Sequence, residues 1–391
     1  MAFVSRKSSV VFINEEVTEG VAVNPSASLD AVGILADGFS MDGEKELVER
    51  NVLRSSIGKA IPLTGIKSAV ASIGVEAAAN ETEGSAPESD LLLKSLLAGK
   101  RTIAAEVTSG ASHTASVINI ADVDIGDFNR GDIVVIKEAG AFHMSPITEV
   151  DDAIGAANIT LLVPMASAPS DAVVIAPATI YYGANSGHSN LTVSAWMEGA
   201  IKMQASGCKV ASMSLDNFST GQLPSMNFSL NGMNYVEAIS AQSVVADFDS
   251  ATPPLVLSAC VYMDGVQVVV QDVSLSVDNT VGRITSTCEA NGIKGQLIGE
   301  RAISGSFTAY MSTLDVAIYD KFNANTEFSL FLRAQNPSGV PGETQNHIGV
   351  YLPKCIITGQ PKADSDGVVT IQVAFQAGFD ANNEDIFMAF V

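Results

Sequence analysis

The sequence predicts a mainly β protein, and three observations point to this fold class. Ala, Ser, Val, Thr, Ile and Gly dominate over Leu, Lys and Glu, a bias that favours sheets and turns over helix bundles. Many short segments alternate apolar with polar residues, which is the period of a half-buried strand. Turn residues separate these segments, and Asp264-Gly265 between two apolar runs is a strong hairpin signal.

Length and composition indicate two or three domains with a sizeable core. The chain has 391 residues, of which 47% are hydrophobic and 16% charged, so intrinsic disorder is excluded. The formal net charge is −22, which repels nucleic acid and anionic lipid and argues against a protein that grips DNA. Solubility alone would explain this charge, and so would a wall past which DNA slides.

Neither disulfides nor membrane segments are expected. Cys208, Cys260, Cys288 and Cys355 form no CxxC motif, so reduced thiols in a protein made in the cytoplasm are predicted. The apolar run near the N-terminus is too short for a signal peptide. The longest apolar stretch, residues 159–182, contains three prolines and an aspartate and is not expected to span a membrane.

Residues 40–62 form an unusual charged segment. It is too polar for a core strand and has no clean helical stripe, yet it contains scattered apolar residues. Two interpretations fit equally: a long loop or hairpin arm that finds its apolar partner elsewhere, or an amphipathic arm folded onto its own domain. The candidate contact residues of this arm are Lys45, Leu47, Val48, Arg50, Val52, Leu53 and Arg54.

A strand and then the clearest helix follow the arm. Residues 66–77 alternate with Ala69, Ala71, Ile73 and Val75 on one face. The helix is expected to begin in a capping box formed by Ser85 and Glu88. Its buried side is the leucine-rich run at residues 91–97, and Gly99 is expected to end it.

Residues 103–185 have a different texture, poor in Lys and Arg and rich in short strands. Gly131-Asp132 leads into the apolar run at residues 133–136, with hairpins behind it, which indicates a small β-barrel or immunoglobulin-like insert. The acidic cluster Asp122, Asp124, Asp127 and Asp132 lacks the order of a calcium loop, so a solvated turn is favoured. Residues 183–190 then act as a return linker.

The remaining third is predicted to be antiparallel sheet with one short helix. The helix spans residues 312–322, and Asp278-Asn279-Thr280 is expected to form a turn. Trp196 is the only tryptophan, and a core position is favoured over an interface position for it. The strands are predicted at residues 191–198, 222–230, 255–263, 266–271, 273–277, 303–310, 327–333, 350–358 and 368–377.

Several strands combine one apolar face with one face of small polar residues. A polar face so poor in Lys and Arg is unusual for an exposed sheet, which normally carries edge lysines. It suits a sheet that continues into a neighbouring subunit and faces a wet channel. The candidate lumen or intersubunit residues are Ser68, Ser72, Glu76, Ser304, Ser306, Thr308, Thr370, Gln372 and Gln376.

The sequence carries no signature of catalysis, metal binding or cofactor binding. Phosphate-binding loops, nucleophile elbows and zinc-protease motifs are all missing. The four histidines stand apart from one another, so each is expected at the surface rather than in a site. We therefore expect a protein without cofactors that is not an enzyme.

Most of the chain outside residues 103–182 resembles the phage tail tube protein family. The similarity runs through VSLSVDNTV from Val273, GQLIGERAISGSFTAYM from Gly295 and the helix at 312–322. It continues in GVYLPKCIITG from Gly349 and DGVVTIQVAFQA from Asp366. In the N-terminal half it includes VTEG from Val17, the charged arm, the strand and the leucine-rich helix.

This resemblance implies a structural subunit of a bacteriophage tail. The tail tube domain would comprise residues 1–102 and 186–391, a β-sandwich with flanking helices that contributes to an intersubunit β-barrel. Residues 103–185 would form the insert on the tube exterior. Six copies would close a ring, and the arm would reach the adjacent ring.

The resemblance also implies the partners. Stacked rings would surround the tape measure protein and later DNA, which passes through the lumen without specific binding. Tail terminator and baseplate or tip proteins would contact the ends of the tube. The protein would be assembled in the host cytoplasm, reside in the virion tail and touch no membrane. The alternative from another class is a secreted or surface β-sandwich binding module of the adhesin type.

Overall fold

The computed structural model describes residues 9–52, 58–138, 140–254, 256, 260–311, 314–335, 346–365 and 367–391. In these ranges the protein is mainly β, as the composition and alternation predict. Its α-helices are α1 (Asp90–Leu97) and α2 (Leu314–Ala324), and single 3-10 turns occur at Ser28–Asp30 and Ile125–Asp127.

The strands divide between one large sheet and one small sheet. In chain order up to the end of the small sheet they are β1 (Ser9–Glu15), β2 (Ala31–Val32), β3 (Phe39–Val48), β4 (Leu63–Glu76), β5 (Ala98–Ile103), β6 (Val107–Thr108), β7 (Val117–Asn119), β8 (Ile133–Glu138), β9 (Ala141–Asp151), β10 (Asn158–Leu161) and β11 (Val174–Ile175). The later strands are β12 (Ala178–Gly183), β13 (Leu191–Met197), β14 (Ile201–Ser219), β15 (Ser225–Gly232), β16 (Asn234–Ile239), β17 (Cys260–Met263), β18 (Val266–Val268), β19 (Val270–Thr285), β20 (Ile293–Tyr310), β21 (Phe328–Gln335), β22 (His347–Gly359), β23 (Lys362–Ser365), β24 (Val368–Gly378) and β25 (Phe387–Phe390).

The large sheet is antiparallel and branches at its long strands. One path runs β3–β4–β15–β14–β19–β20–β24, and β24 continues to β22 and β23. The first half of β14 pairs instead with β13 and β16, which extends the sheet to β1 and β2. The first half of β22 pairs with β21 and β25, and β25 leads to β12 and β5. Long strands that change partners midway let one chain build two layers around a core.

The small sheet lies inside the range predicted for the insert. Its order is β6-β11-β8-β9-β10-β7, and β9 pairs with β8 up to Pro146 and with β10 from Ile147 onward. Proline has no backbone donor, so it fits the point where a strand leaves one partner for the next. The flanking strands β5 and β12 belong to the large sheet, so the second sheet spans only residues 107–175.

Helix α1 packs its leucines into the main core, but the predicted caps are wrong. Leu92, Leu93, Leu96 and Leu97 are fully buried. The side chain of Glu88 does not close a capping box, because its carboxylate accepts the backbone N–H groups of Gly33 and Asp249 instead. The positive φ that ends the helix belongs to Ala98, and β5 begins there directly.

The expected turn at residues 278–280 is also wrong, whereas the Asp264-Gly265 hairpin is confirmed. Strand β19 continues to Thr285 with an irregularity between Asn279 and Val281. The amide of Asn279 donates to the carbonyl oxygen of Leu96 at 2.9 Å, so this residue serves the end of α1 rather than a turn. Asp264 and Gly265 both have positive φ and join β17 to β18, as a two-residue hairpin requires.

Candidate assembly surfaces

One face of the β3–β24 path is polar across its whole width. The register aligns Ser72 of β4 with Ser229 of β15, Ser212 of β14 and Asp278 of β19. The next row of neighbours is Asn227, Ser214, Ser276, Ser304 and Gln376. Because side chains alternate along a strand, the residues between these rows point into the core, and Met213, Val277 and Ile303 are indeed buried.

This polar face carries carboxylates that its own hydroxyl and amide groups hold in place. Ser214 Oγ and Asn227 Nδ2 both donate to Asp216 Oδ2, at 2.8 and 2.7 Å. Ser276 Oγ donates to Asp278 Oδ2 at 2.8 Å. None of the residues in the two rows is Lys or Arg. A surface of this composition repels phosphates and offers them no cation to bind.

The structure brings most of the predicted lumen residues together on this face. Seven of them lie on the polar face and are exposed or half-buried: Ser72, Glu76, Ser304, Ser306, Thr308, Gln372 and Gln376. Thr370 shares the face but is buried, because β23 lies beside it. Its hydroxyl donates a hydrogen bond to the carbonyl oxygen of Ala363 in β23. Ser68 is buried as well, near the point where the backbone N–H of Lys67 donates to Asn291.

The polar-faced sheet has an edge strand on each side. In the described ranges β3 pairs as a strand with β4 alone, and β23 pairs with β24 alone. In the described ranges each of these two strands is therefore hydrogen-bonded to a neighbouring strand on one side only. Such edges are templates for pairing with another chain, and proteins that stay monomeric usually protect them.

The arm segment is the distal part of the β3–β4 hairpin. β4 pairs with β15 only from Ala69 onward, whereas its pairing with β3 runs back to Leu63. The hairpin therefore projects about 20 Å beyond the end of β15, at roughly 3.3 Å per residue. Lys45, Leu47 and Val48 lie in β3, and Arg50 and Val52 follow it. Leu53 and Arg54 lie outside the described residues.

Apolar side chains on this arm are exposed in the single chain. Leu47, Val48 and Val52 are each more than half exposed, and Ile61 and Leu63 are exposed too. Leaving several large apolar side chains in water costs on the order of 1 kcal/mol each. Contiguous exposed apolar side chains of this kind mark a surface that binds a partner.

No catalytic or metal centre accompanies these surfaces in the ranges that the structure describes. No group of three or more His, Cys, Asp or Glu side chains there is placed to hold a metal ion. No helix in the same ranges is long and apolar enough to cross a membrane. Two sequence expectations are corrected: His347 is buried, and Asp132 is not in a solvated turn but buried against Arg101.

A polar sheet face between two edge strands, with an exposed apolar arm, is typical of a β protein that assembles through its strands. The chain belongs to the phage tail tube protein family, whose family model matches residues 6–377. It is therefore a structural component of a bacteriophage tail tube. Family membership favours this role over the adhesin-like alternative.

Other comparisons give less. Among curated proteins none matches the chain. A solved structure of the SPP1 tail tube, determined by solid-state NMR and cryo-EM, is similar over 28% of this chain and 60% of its own length. The identity is 18% and the TM-score 0.19. The chain thus matches less than two thirds of that structure's length.

Proposed function

We propose that this chain forms hexameric rings that stack into the tail tube, with the polar face of the β3–β24 path lining the lumen. The observation that carries the proposal is the polar face bounded by two edge strands, whose two central rows contain no Lys or Arg. Joining the β3 edge of one copy to the β23 edge of the next gives hydrogen-bond partners to the backbone groups of both edge strands. Repeating that contact around a closed ring produces a barrel without edges.

The chemistry of the polar face suits a conduit. Ser, Thr, Asn and Gln side chains keep the wall wet, and the carboxylates of Asp216 and Asp278 face the same way. Such a wall can first enclose the tape measure protein and later let DNA slide past, because its two rows offer phosphates no basic side chain. Specific DNA binding is not part of the proposal.

The arm is proposed to reach the adjacent ring. It projects along the strand direction, and its exposed apolar residues have no partner surface in the described part of their own chain. Burying them against a second copy would remove their contact with water. The insert, residues 103–185, is assigned to the exterior because a folded domain in the lumen would block DNA.

The contacts at the ends of the tube and the place of assembly are proposed from the family resemblance. Tail terminator and baseplate or tip proteins would cover the two ends of the tube, and assembly would take place in the host cytoplasm.

Electron microscopy of the purified protein tests the proposal. We expect hollow rings that stack into tubes at high protein concentration. Deleting residues 45–59 should leave a folded protein that closes rings but does not stack them. A control that shortens the exposed insert loop at residues 166–168 should form tubes normally. A wild-type protein that stays monomeric at every concentration, or an arm deletion that forms tubes of normal length, would contradict the assignment.

A further inference from the structure

We infer that the arm of one copy docks into a specific groove at the opposite end of the β3–β4 strands of a second copy. This groove, here named the acceptor groove, is lined by Leu35, Val75, Glu76, Glu88, Phe248 and Asp249. The inference rests on the proposed stacking of rings and assigns the surface that receives the arm.

The acceptor groove combines an apolar floor with acidic walls. Leu35 and Val75 form part of the floor, and Phe248 stands 47% exposed beside them. The groove has a volume of about 270 Å³, and a neighbouring cleft of about 540 Å³ adds Asp30, Glu81 and Asp247. An exposed aromatic ring between apolar and acidic groups is a common anchor in binding surfaces.

The acidic walls are held by the backbone rather than by cations. Asp249 accepts the N–H of Glu81 with both carboxylate oxygens at 3.1 Å, and the N–H of Asp249 donates to Glu88 at 2.5 Å. No described residue lining the groove or the cleft is basic. The nearby cations are already engaged, because Lys94 pairs with Glu15 and Lys100 with Asp90. Burial raises the pKa of Glu88, against the lowering effect of its hydrogen bonds.

The tip of the arm has the complementary chemistry. Residues 49–62 contain Arg50, Arg54 and Lys59 and one acidic residue, Glu49, in a chain whose net charge is −22. Arg54 lies outside the described residues, and Lys59 lies 3.9 Å from Glu49 in an exposed pair that water screens. Val52 and Ile61 supply exposed apolar side chains in the same segment. Long basic side chains lay their carbon stems on apolar surface and their charges on acidic rims. The acceptor groove offers both.

The positions of arm and groove fit a head-to-tail contact. At the groove end, Leu35 N donates to Gly74 O at 2.8 Å, so the groove borders the start of β3 and the end of β4. At the other end of the same two strands, Val48 pairs with Leu63 and the arm begins. A second copy displaced along the strands by the length of β4, about 46 Å at 3.3 Å per residue, brings groove and arm together. Contacts of this type repeat without closing, which is what a tube requires.

Complementary charge reversals test the contact. The groove variant is Glu81→Lys with Asp247→Lys, two exposed residues of the acidic cleft beside the groove, and the arm variant is Arg50→Glu with Lys59→Glu. Each variant alone should close rings but lose tubes at least tenfold in sedimented mass. A mixture of the two should recover tubes, because reversed arms meet reversed grooves. Groove-variant tubes equal to wild type, or a mixture that stays as rings, would overturn the acceptor assignment.

Crosslinking gives a readout that does not depend on a charge-reversed variant folding. Lys59→Cys and Glu76→Cys are combined in a Cys288→Ser background, since Cys288 is exposed. Oxidised tubes should give a ladder of covalent multimers, and each single cysteine variant should not. Only monomers from intact tubes would refute the acceptor groove while leaving the proposed tube function standing. By contrast, an arm deletion that still forms normal tubes would refute the arm's role in stacking itself.

Discussion

Arg101 and Asp132 form an ion pair at the junction of the two sheets. The guanidinium Nη1 of Arg101, on β5, lies 3.0 Å from Oδ1 of Asp132, whose side chain is 1% exposed. Arg101 also pairs with Glu384 near the C-terminus and stacks on the ring of Tyr182, 4.0 Å from its centroid. A single cation thus connects the large sheet, the segment before β25 and the residue that precedes β8 of the small sheet.

The first prediction concerns the pH dependence of this pair. Burial raises the pKa of Asp132 to about 6, although Arg101 acts in the opposite direction. The folded protein therefore binds this proton more tightly than the unfolded chain, and the group adds stability as pH falls from about 6 towards 4. A shift of this size corresponds to about 3 kcal/mol in the free energy of unfolding.

Urea unfolding of wild type and Asp132→Asn between pH 4 and 7.5 measures the effect. Burial also raises the pKa of Glu16 and of Asp385, but these groups are present in both proteins and cancel in the difference. Burial raises the pKa of Glu384 too, and Glu384 shares Arg101 with Asp132, so the comparison is made with Glu384→Gln in both proteins. We expect the free energy of unfolding of wild type, relative to the variant, to rise as pH falls through 6. Parallel pH profiles would contradict the assignment.

The second prediction concerns the packing of the C-terminal strand under the insert. Gly131 has φ +88°, and a Cβ there would lie 2.1 Å from Cζ of Phe387. Gly155, also in the insert, has φ +79° with nothing within 4 Å of the added carbon. Gly155→Ala should cost about 1–2 kcal/mol through backbone strain alone. Gly131→Ala should cost about 1–3 kcal/mol more, because the Phe387 ring must move in a packed core.

Circular dichroism during urea unfolding compares the two glycine variants directly. If both lose the same stability, Phe387 does not fix the insert on the large sheet.

Much of the sheet could be predicted from local sequence. The alternation in β4 and β24 assigns each side chain to a face, so the buried set Ala71, Ile73 and Val373 follows directly from the period of a strand. The Asp264-Gly265 turn was equally predictable, because positive φ at both central positions selects those residues.

Features that depend on distant parts of the chain could not be predicted. Asp132 looks like part of a solvated acidic turn until Arg101 and Glu384 are brought beside it by the fold. Glu88 resembles a capping residue, yet its partners are 55 and 161 positions away. Thr370 alternates onto the polar face but is covered by β23. In each case a contact with a distant part of the chain overrides what the local sequence indicates.

The last prediction tests whether the polar face lines the proposed lumen. Ser72→Lys with Ser304→Lys places cations on the two rows of that face, at exposed positions. Ala166→Lys with Ser167→Lys adds the same charge to an exposed loop of the insert. Wild-type tubes should not retain fluorescent double-stranded DNA present during assembly, since the wall repels phosphates.

Tubes of the Ser72→Lys/Ser304→Lys protein should retain DNA, and retention should fall steeply between 50 and 200 mM salt, as counterion release requires at about these concentrations. The insert variant should behave like wild type if its charges lie outside the bore. Sedimentation of the tubes, with the fluorescence of the DNA in the pellet, measures DNA retention by each of the two variants. Equal retention by the two variants would mean that DNA binds the exterior, and the polar face would then lose its assignment to the lumen.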